Sequence, residues 1–166
     1  MFEAEARCTF GSARTLFKSI LLALTIVGVA GTSAARADAC APDAKTSLEI
    51  SVSDIRAPIG NITITIYPGI KNRFLKKRGK ISRLRVKAMS PVTIACMPVP
   101  SSGTYAVVLY HDENEDGEFN LSMIGVPQEG YGFSNNATGF LGPPSYDAVK
   151  FNAGEGITHL DISVRY

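Results

Sequence analysis

The 166 residues contain no tryptophan, only two histidines and three cysteines. With His111 and His159 alone, an acid–base enzyme would have almost no imidazole to work with. Ser134 sits in Gly-Phe-Ser-Asn, not in the G-x-S-x-G turn that exposes a serine nucleophile. Zinc spacing, a phosphate-cradling glycine loop and a redox cysteine motif are all missing. Also missing is an apolar run that could cross a bilayer, which takes roughly 20 residues. The longest, residues 19–31, has thirteen. Outside it no segment carries a helical apolar stripe. Such a chain is expected to bind or support rather than to catalyse, with a small hydrolase using Glu129 or His111 as an alternative.

The first 39 residues read as a leader. Arg7, Arg14 and Lys18 form a basic start, residues 19–31 an apolar centre, and Ala-Asp-Ala at 37–39 a small-x-small cleavage site. Cleavage after Ala37 fits the spacing equally. A retained anchor is the competing reading, disfavoured by the short apolar run. A lipoprotein acylated at Cys40 is another, although Arg36-Ala37-Asp38-Ala39 lacks the usual leucine and sets an acid beside the cysteine. The expected organisation is a signal peptide at 1–39, a polar lead-in at 40–46 and one domain at 47–166. Such a protein would be exported, periplasmic or secreted, and would not span a membrane once processed.

Export would leave Cys40 and Cys96 as an even pair in an oxidising compartment, where a disulfide is expected over two separate thiols. Closing that loop would stabilise by about 4 kcal/mol in the chain-entropy account, less any strain. The leader holds four basic and three acidic residues, so its removal takes the formal charge from +2 to +1. The distribution is far from even. Residues 71–87 carry nine Lys/Arg and no acid, while 112–129 carry six acids and no Lys/Arg. The basic run suits nucleic acid, anionic lipid or polyanionic glycan; export argues against nucleic acid, and a solvated edge strand needs no ligand at all.

Alternation is the main structural signal. Leu48, Ile50 and Val52 alternate with polar residues, as do Ile62, Ile64 and Ile66 after the Gly60-Asn61 turn. Ile81 is out of phase with Leu84 and Val86, so a bulge or late start is expected in a third strand. Val92, Ile94 and Cys96 suggest a fourth. Residues 104–110 are apolar at both parities, which suits a central strand covered on both faces. Residues 148–152 suggest a further strand, and Leu160, Ile162, Val164 and Tyr166 alternate as the last. Residues 70–80 read as a loop or short helical turn, and 125–146 as a Gly/Pro-rich passage with little periodicity. The prediction is all-β, a single antiparallel sandwich of about seven strands.

Where residues 104–110 end, a pattern of oxygen-bearing side chains begins. Asp112, Asn114 and Asp116 occupy positions 1, 3 and 5 of a hard-cation loop, Gly117 takes position 6, the Glu118 carbonyl position 7 and Asn120 position 9. Position 12 is Met123, which has no carboxylate to give, so further oxygens would have to come from Glu129, Asp147 or water. Calcium is the favoured ion because every donor is oxygen. Without the bidentate group the affinity should be on the order of 10⁻⁴ to 10⁻³ M. The competing reading is a loop whose Asp and Asn side chains bond their own backbone. His111 adjoins the loop and is read as a packing residue.

Tyr131, Phe133, Phe140 and Tyr146 lie in the glycine-rich passage. They can stack on a sugar ring or cap the open end of the sandwich as a small core, with Tyr131, Phe133 and Tyr146 the residues for ligand stacking. Thr104-Tyr105-Ala106-Val107 with His111 to Gly117, then Gly125 to Asn136, then Gly142 to Ala148, resemble three blocks of a bacterial secreted family known as domain of unknown function 2141. The resemblance spans residues 47–166 and implies an exported sandwich of transthyretin-like or immunoglobulin-like character, with no established activity. The expected function is a non-catalytic envelope or periplasmic module, clipped by calcium, whose partner is an envelope protein or a glycan. A glycan-binding or adhesion domain built on the aromatic passage is the alternative.

Overall fold

A computed structural model describes Cys40 and residues 44–166. The expected leader, 1–39, lies outside the described residues. Eight strands follow in order: β1 (Thr46–Ser53), β2 (Asn61–Pro68), β3 (Ser82–Lys87), β4 (Thr93–Pro98), β5 (Gly103–Asp112), β6 (Gly130–Phe133), β7 (Phe151–Ala153) and β8 (Gly156–Ser163). They form two sheets, β4-β1-β8 and β3-β2-β5-β6, with β7 also on β5. The apolar parity of β1 and β2 meets between the sheets, where Leu48, Ile50, Ile62, Ile64, Val107 and Leu109 are fully buried. An all-β sandwich is what the alternation called for.

β5 is the central strand. Its other parity is covered too, by a second cluster of Tyr67, Phe74, Phe133, Tyr146 and Val149 around Ala106. Part of that outer layer, Phe133 and Tyr146, comes from the passage expected to lack periodicity. Gly130–Phe133 is a strand there, short and half glycine, so no alternation could announce it. Residues 146–149 form a helical turn, α1 (Tyr146–Val149), where a strand beginning at 148 was expected; only β7 follows.

β6 pairs with residues 108–111 of β5 and β7 with 103–105. Between them Val107 has no strand partner on that side. Ser134 fills the gap: its buried Oγ accepts the Val107 N–H (3.0 Å) and lies 2.6 Å from the Val149 carbonyl, to which it donates. Asn136 then ties the two sheets together, accepting the Ser163 N–H and donating to the Asp161 carbonyl. Asn135 and Asn136 both adopt left-handed backbone (φ 60° and 50°), which asparagine tolerates better than most residues.

Two further differences from the sequence reading have simple causes. β1 and β8 run parallel over their whole length, so the first and last strands are neighbours that no hairpin could join. In β4 the inward residues are Thr93, Ala95 and Met97, not Val92, Ile94 and Cys96. Cys96 turns outward because it meets Cys40, with Cα atoms 4.9 Å apart in a disulfide. Of the two expectations for the third strand the late start is the one found: β3 begins at Ser82, pairs with β2 without a bulge, and leaves Ile81 packed on the core just ahead of it.

Two stability predictions follow from these contacts. Ser134→Ala leaves a buried N–H and a buried carbonyl without partners and should cost at least about 2 kcal/mol, read as a lower urea midpoint at unchanged slope. Reducing Cys40–Cys96 should cost about 2–4 kcal/mol by the same measurement.

Candidate functional site

β5 does not stop at its last apolar residue. Its pairing with β2 continues to Asn61↔Asp112, which carries His111 and Asp112 inside the fold, both 0% exposed. Gly60 makes room for this: at φ 65° its missing Cβ would lie 2.0 Å from the Asp112 carbonyl. His111 uses both ring nitrogens in packing. Nε2 donates to the Ile59 carbonyl (2.7 Å), which leaves Nδ1 of a neutral ring to accept from the Tyr166 hydroxyl (2.7 Å). As a general base it would have neither nitrogen free.

From Asp112 the chain turns through residues 113–129. Asp112 Oδ2 accepts the Gly117 N–H (3.0 Å), closing the turn from inside. Outside it, Tyr110 and Arg85 both donate to the Gly117 carbonyl (2.8 and 3.0 Å). Gly117 has φ 79°, and a Cβ there would stand 2.6 Å from the Arg85 guanidinium. The basic residues of the edge strand thus have definite work, Arg85 at the Gly117 carbonyl and Lys87 paired with Glu115 (2.6 Å), and Arg56 from the β1–β2 connection pairs with Glu113.

Inside the loop, Asn114 and Asn120 both donate amide protons to Asp116 Oδ2 (2.9 and 3.1 Å), while the Glu118 N–H donates to Oδ1 (2.8 Å). The Asn114 oxygen accepts the Asp116 N–H in an Asx turn (3.2 Å). Asp116 therefore balances its charge locally, and its carboxyl is held below its ordinary 3.8, first by the Glu118 N–H and then by Asn120 and Asn114.

Glu129 is different. It arrives from the far side of the loop, just before β6, and is only 5% exposed. Its Oε2 accepts the Asn120 N–H (3.0 Å). Its Oε1, like Oδ1 of Asp112, is buried with no hydrogen-bond partner. Burial pushes the Glu129 carboxyl above its ordinary 4.5; the Asn120 N–H works against this, and the nearby negative charges of Asp112 and Asp116 add to it. A cleft of about 220 Å³ opens between Glu113, Asn114, Asn120, Gln128 and Glu129.

Four of the seven proposed ligand residues, Asn114, Asp116, Asn120 and Glu129, are thus linked by direct hydrogen bonds, and Asp112 joins the same turn through the Gly117 N–H. Glu118 belongs to the same turn and enters it through its N–H. Asp147 does not belong. It lies on α1, bonded to Lys71 (2.9 Å) and Lys150 (2.8 Å), which hold its carboxyl down at about 2. Lys71 follows the Pro68↔Tyr105 pair, seven residues before Asp112 on β5, or about 23 Å along an extended strand. Among the described residues, no three His, Cys, Asp or Glu side chains alone make a metal-holding group. Any ion here would need amide and carbonyl oxygens as well.

The aromatic residues nominated for sugar stacking are mostly spent on packing. Phe133 and Tyr146 are buried, and Tyr146 stands edge-on to Phe74 (5.9 Å between centroids). Half-buried Tyr131 bridges Phe119 and Phe133. They cap the outer face of β5. The sequence reading gave Ser134 and the two asparagines after it no structural part; their only signal was a polar, turn-prone triplet inside an aromatic stretch.

Comparison with known proteins now bears on the same residues. A family model described as an uncharacterized protein conserved in bacteria, DUF2141, matches residues 50–161. The chain belongs to this family. The match takes in β1 through most of β8, and with them the whole acidic loop, so the loop belongs to the family domain and is no appendage to it. No curated protein and no solved structure matches the chain.

The charge arrangement has a definite pH signature. Glu129 holds its proton more tightly folded than unfolded, so the metal-free protein should lose stability as pH rises from about 4.5 through the higher folded-state value. Asp116 acts oppositely, with a contribution present above its ordinary 3.8 and lost as pH falls through the lower folded value. Glu129→Gln should abolish the first slope and leave the second, in urea titrations run across pH in the presence of chelator.

Proposed function

We propose that this DUF2141 protein is a non-catalytic, exported β-sandwich module whose β5–β6 loop is ordered by calcium. The observation that carries the reading is the pair of buried carboxylate oxygens, on Asp112 and Glu129, that no donor satisfies. A self-bonded polar loop explains Asp116, Asn114 and Asn120. It does not explain these two. Each such oxygen costs about 1–3 kcal/mol or more when left unpaired, and two anionic groups with no cation between them raise the cost. A divalent cation offsets both at once.

Calcium fits the donor set better than a transition metal, since carboxylate, amide and carbonyl oxygens are hard ligands. Glu129 would take the part that Met123 cannot play at position 12, reaching the loop through the fold instead of along the chain. Asp112, Asn114, Asp116 and Asn120, with the Glu118 carbonyl, would complete the set with water. The ion would act as a clip: it would lock residues 112–129 and with them the Leu121↔Pro127 hairpin, whose tip carries exposed Leu121, Met123, Ile124 and Val126. An exported protein meets the calcium concentrations that such a site requires, and the leader-like residues 1–39 support that setting.

Titration calorimetry and thermal melts with calcium, magnesium and EGTA test the reading. Calcium at tenfold over Kd should stabilise by about 1.4 kcal/mol, a rise in Tm of about 4 °C for a domain of this size. Magnesium should do less, because the smaller ion gives up its water reluctantly. Glu129→Gln and Asp112→Asn should each abolish the effect while the metal-free fold is kept. A melting temperature indifferent to calcium in the unmutated protein would refute it.

A further inference from the structure

The end of the sandwich opposite the acidic loop has the reverse charge and an uncovered apolar apex. Residues 69–81 join β2 to β3 and hold six basic side chains, Lys71, Arg73, Lys76, Lys77, Arg78 and Lys80, with no acid. All but Arg73 are exposed. Among the described residues, Lys71 alone of these is engaged by a carboxylate, that of Asp147, which Lys150 shares. Ile70 and Leu75 are exposed within the same loop.

A second loop, 137–145, leaves Asn136 at the edge of the β8 sheet and runs into α1, the helical turn on which the basic loop packs. Gly139 and Gly142 pinch it into a tight turn: a Cβ on Gly139 would stand 1.9 Å from the Gly142 carbonyl. The two residues at the apex of that turn are Phe140 and Leu141, 94% and 93% exposed. Both loops are anchored on α1, one through Phe74 packed against Tyr146 and the Lys71–Asp147 pair, the other by running directly into it.

We propose that this end docks on the surface of an anionic lipid bilayer, with Phe140 and Leu141 inserted at the interface and the basic loop on the lipid phosphates. The two components complement each other physically. Lysine and arginine are drawn to an anionic surface within about a Debye length of it, and an apolar apex gains only where an apolar phase is available. Nucleic acid and sulfated glycan satisfy the first condition and give a leucine at the apex nothing. The acidic hairpin at the opposite end, though apolar at its tip, has the wrong charge for such a surface. Neither loop belongs to the calcium site, so the inference stands independently of it.

The experiment is vesicle co-sedimentation of the protein, in the form that accumulates in cells, with pure phosphatidylcholine and with phosphatidylcholine containing phosphatidylglycerol at about 30%. Binding is expected to the anionic vesicles only and to weaken in high salt. Phe140→Ser with Leu141→Ser, and separately Lys76→Glu with Lys77→Glu and Arg78→Glu, should each reduce it at least tenfold, and these exposed positions leave the fold intact. The absence of tryptophan makes Phe140→Trp a background-free reporter whose emission should shift blue on the anionic vesicles. No binding to them would overturn the proposal. So would binding unaffected by the Phe140 and Leu141 changes, with heparin bound equally, which marks a polyanion site. Binding lost on chelation would also overturn it, by moving the contact to the acidic end.

Discussion

Everything at the candidate site depends on β5 running two residues beyond its apolar stretch. A strand buried on both faces normally ends where its hydrophobic residues do. Here pairing with β2 continues through His111 and Asp112, so an imidazole and a carboxylate are carried to full burial by a backbone ladder. The surroundings then accommodate them: Gly60 clears the approach, Tyr166 and the Ile59 carbonyl absorb the imidazole, and the Gly117 N–H takes one carboxylate oxygen. The other oxygen is left over. With Glu129 brought against the same loop, two buried carboxylate oxygens are left without donors, and the proposal of a bound cation rests on them.

The charge separation along the molecule follows from the topology. The β2–β3 loop leaves one end of the sheets, while 113–129 and the chain's final residues occupy the other. Basic side chains on the exposed face of β3 bridge the difference. Arg85 and Lys87 neutralise the outer side of the acidic loop, so part of the basic run in the sequence is an internal counterion system. Among the described residues, the basic side chains of the loop beyond Lys71, from Arg73 to Lys80, are left without a carboxylate. One long basic stretch thus divides into a structural portion and a free portion, a distinction that only the pairing partners make.

How much of this was legible in the residues varies by element. Period-2 alternation placed β1 and β2, each of which sets an apolar row against the other sheet, and a run apolar at both parities placed β5; the last strand was placed too far along, since β8 begins at Gly156 and ends at Ser163, before Val164 and Tyr166. Alternation misplaced the face of β4, where Ile94 points outward and Thr93, Ala95 and Met97 point in, while Cys96 is drawn out to its disulfide. It could not find β6, where glycine at alternate positions leaves only Tyr131 and Phe133 as pattern. At the site, the spacing of Asp112, Asn114, Asp116, Gly117 and Asn120 was readable because a loop closes on itself locally. Glu129 and Asp147 stood equal in the chain as outside donors. Only folding separated them, sending one to the loop and the other to a lysine pair at the opposite end.

The chain alone therefore determined which strands form and that one loop would gather oxygens, since both depend on contacts between residues close in sequence. The tertiary structure decided which carboxylate from outside the loop joins it, which oxygens stay unsatisfied, and which side chains of the basic run find partners on the acidic loop. Those outcomes depend on burial and on partners supplied by distant segments, and no local pattern of residues encodes either.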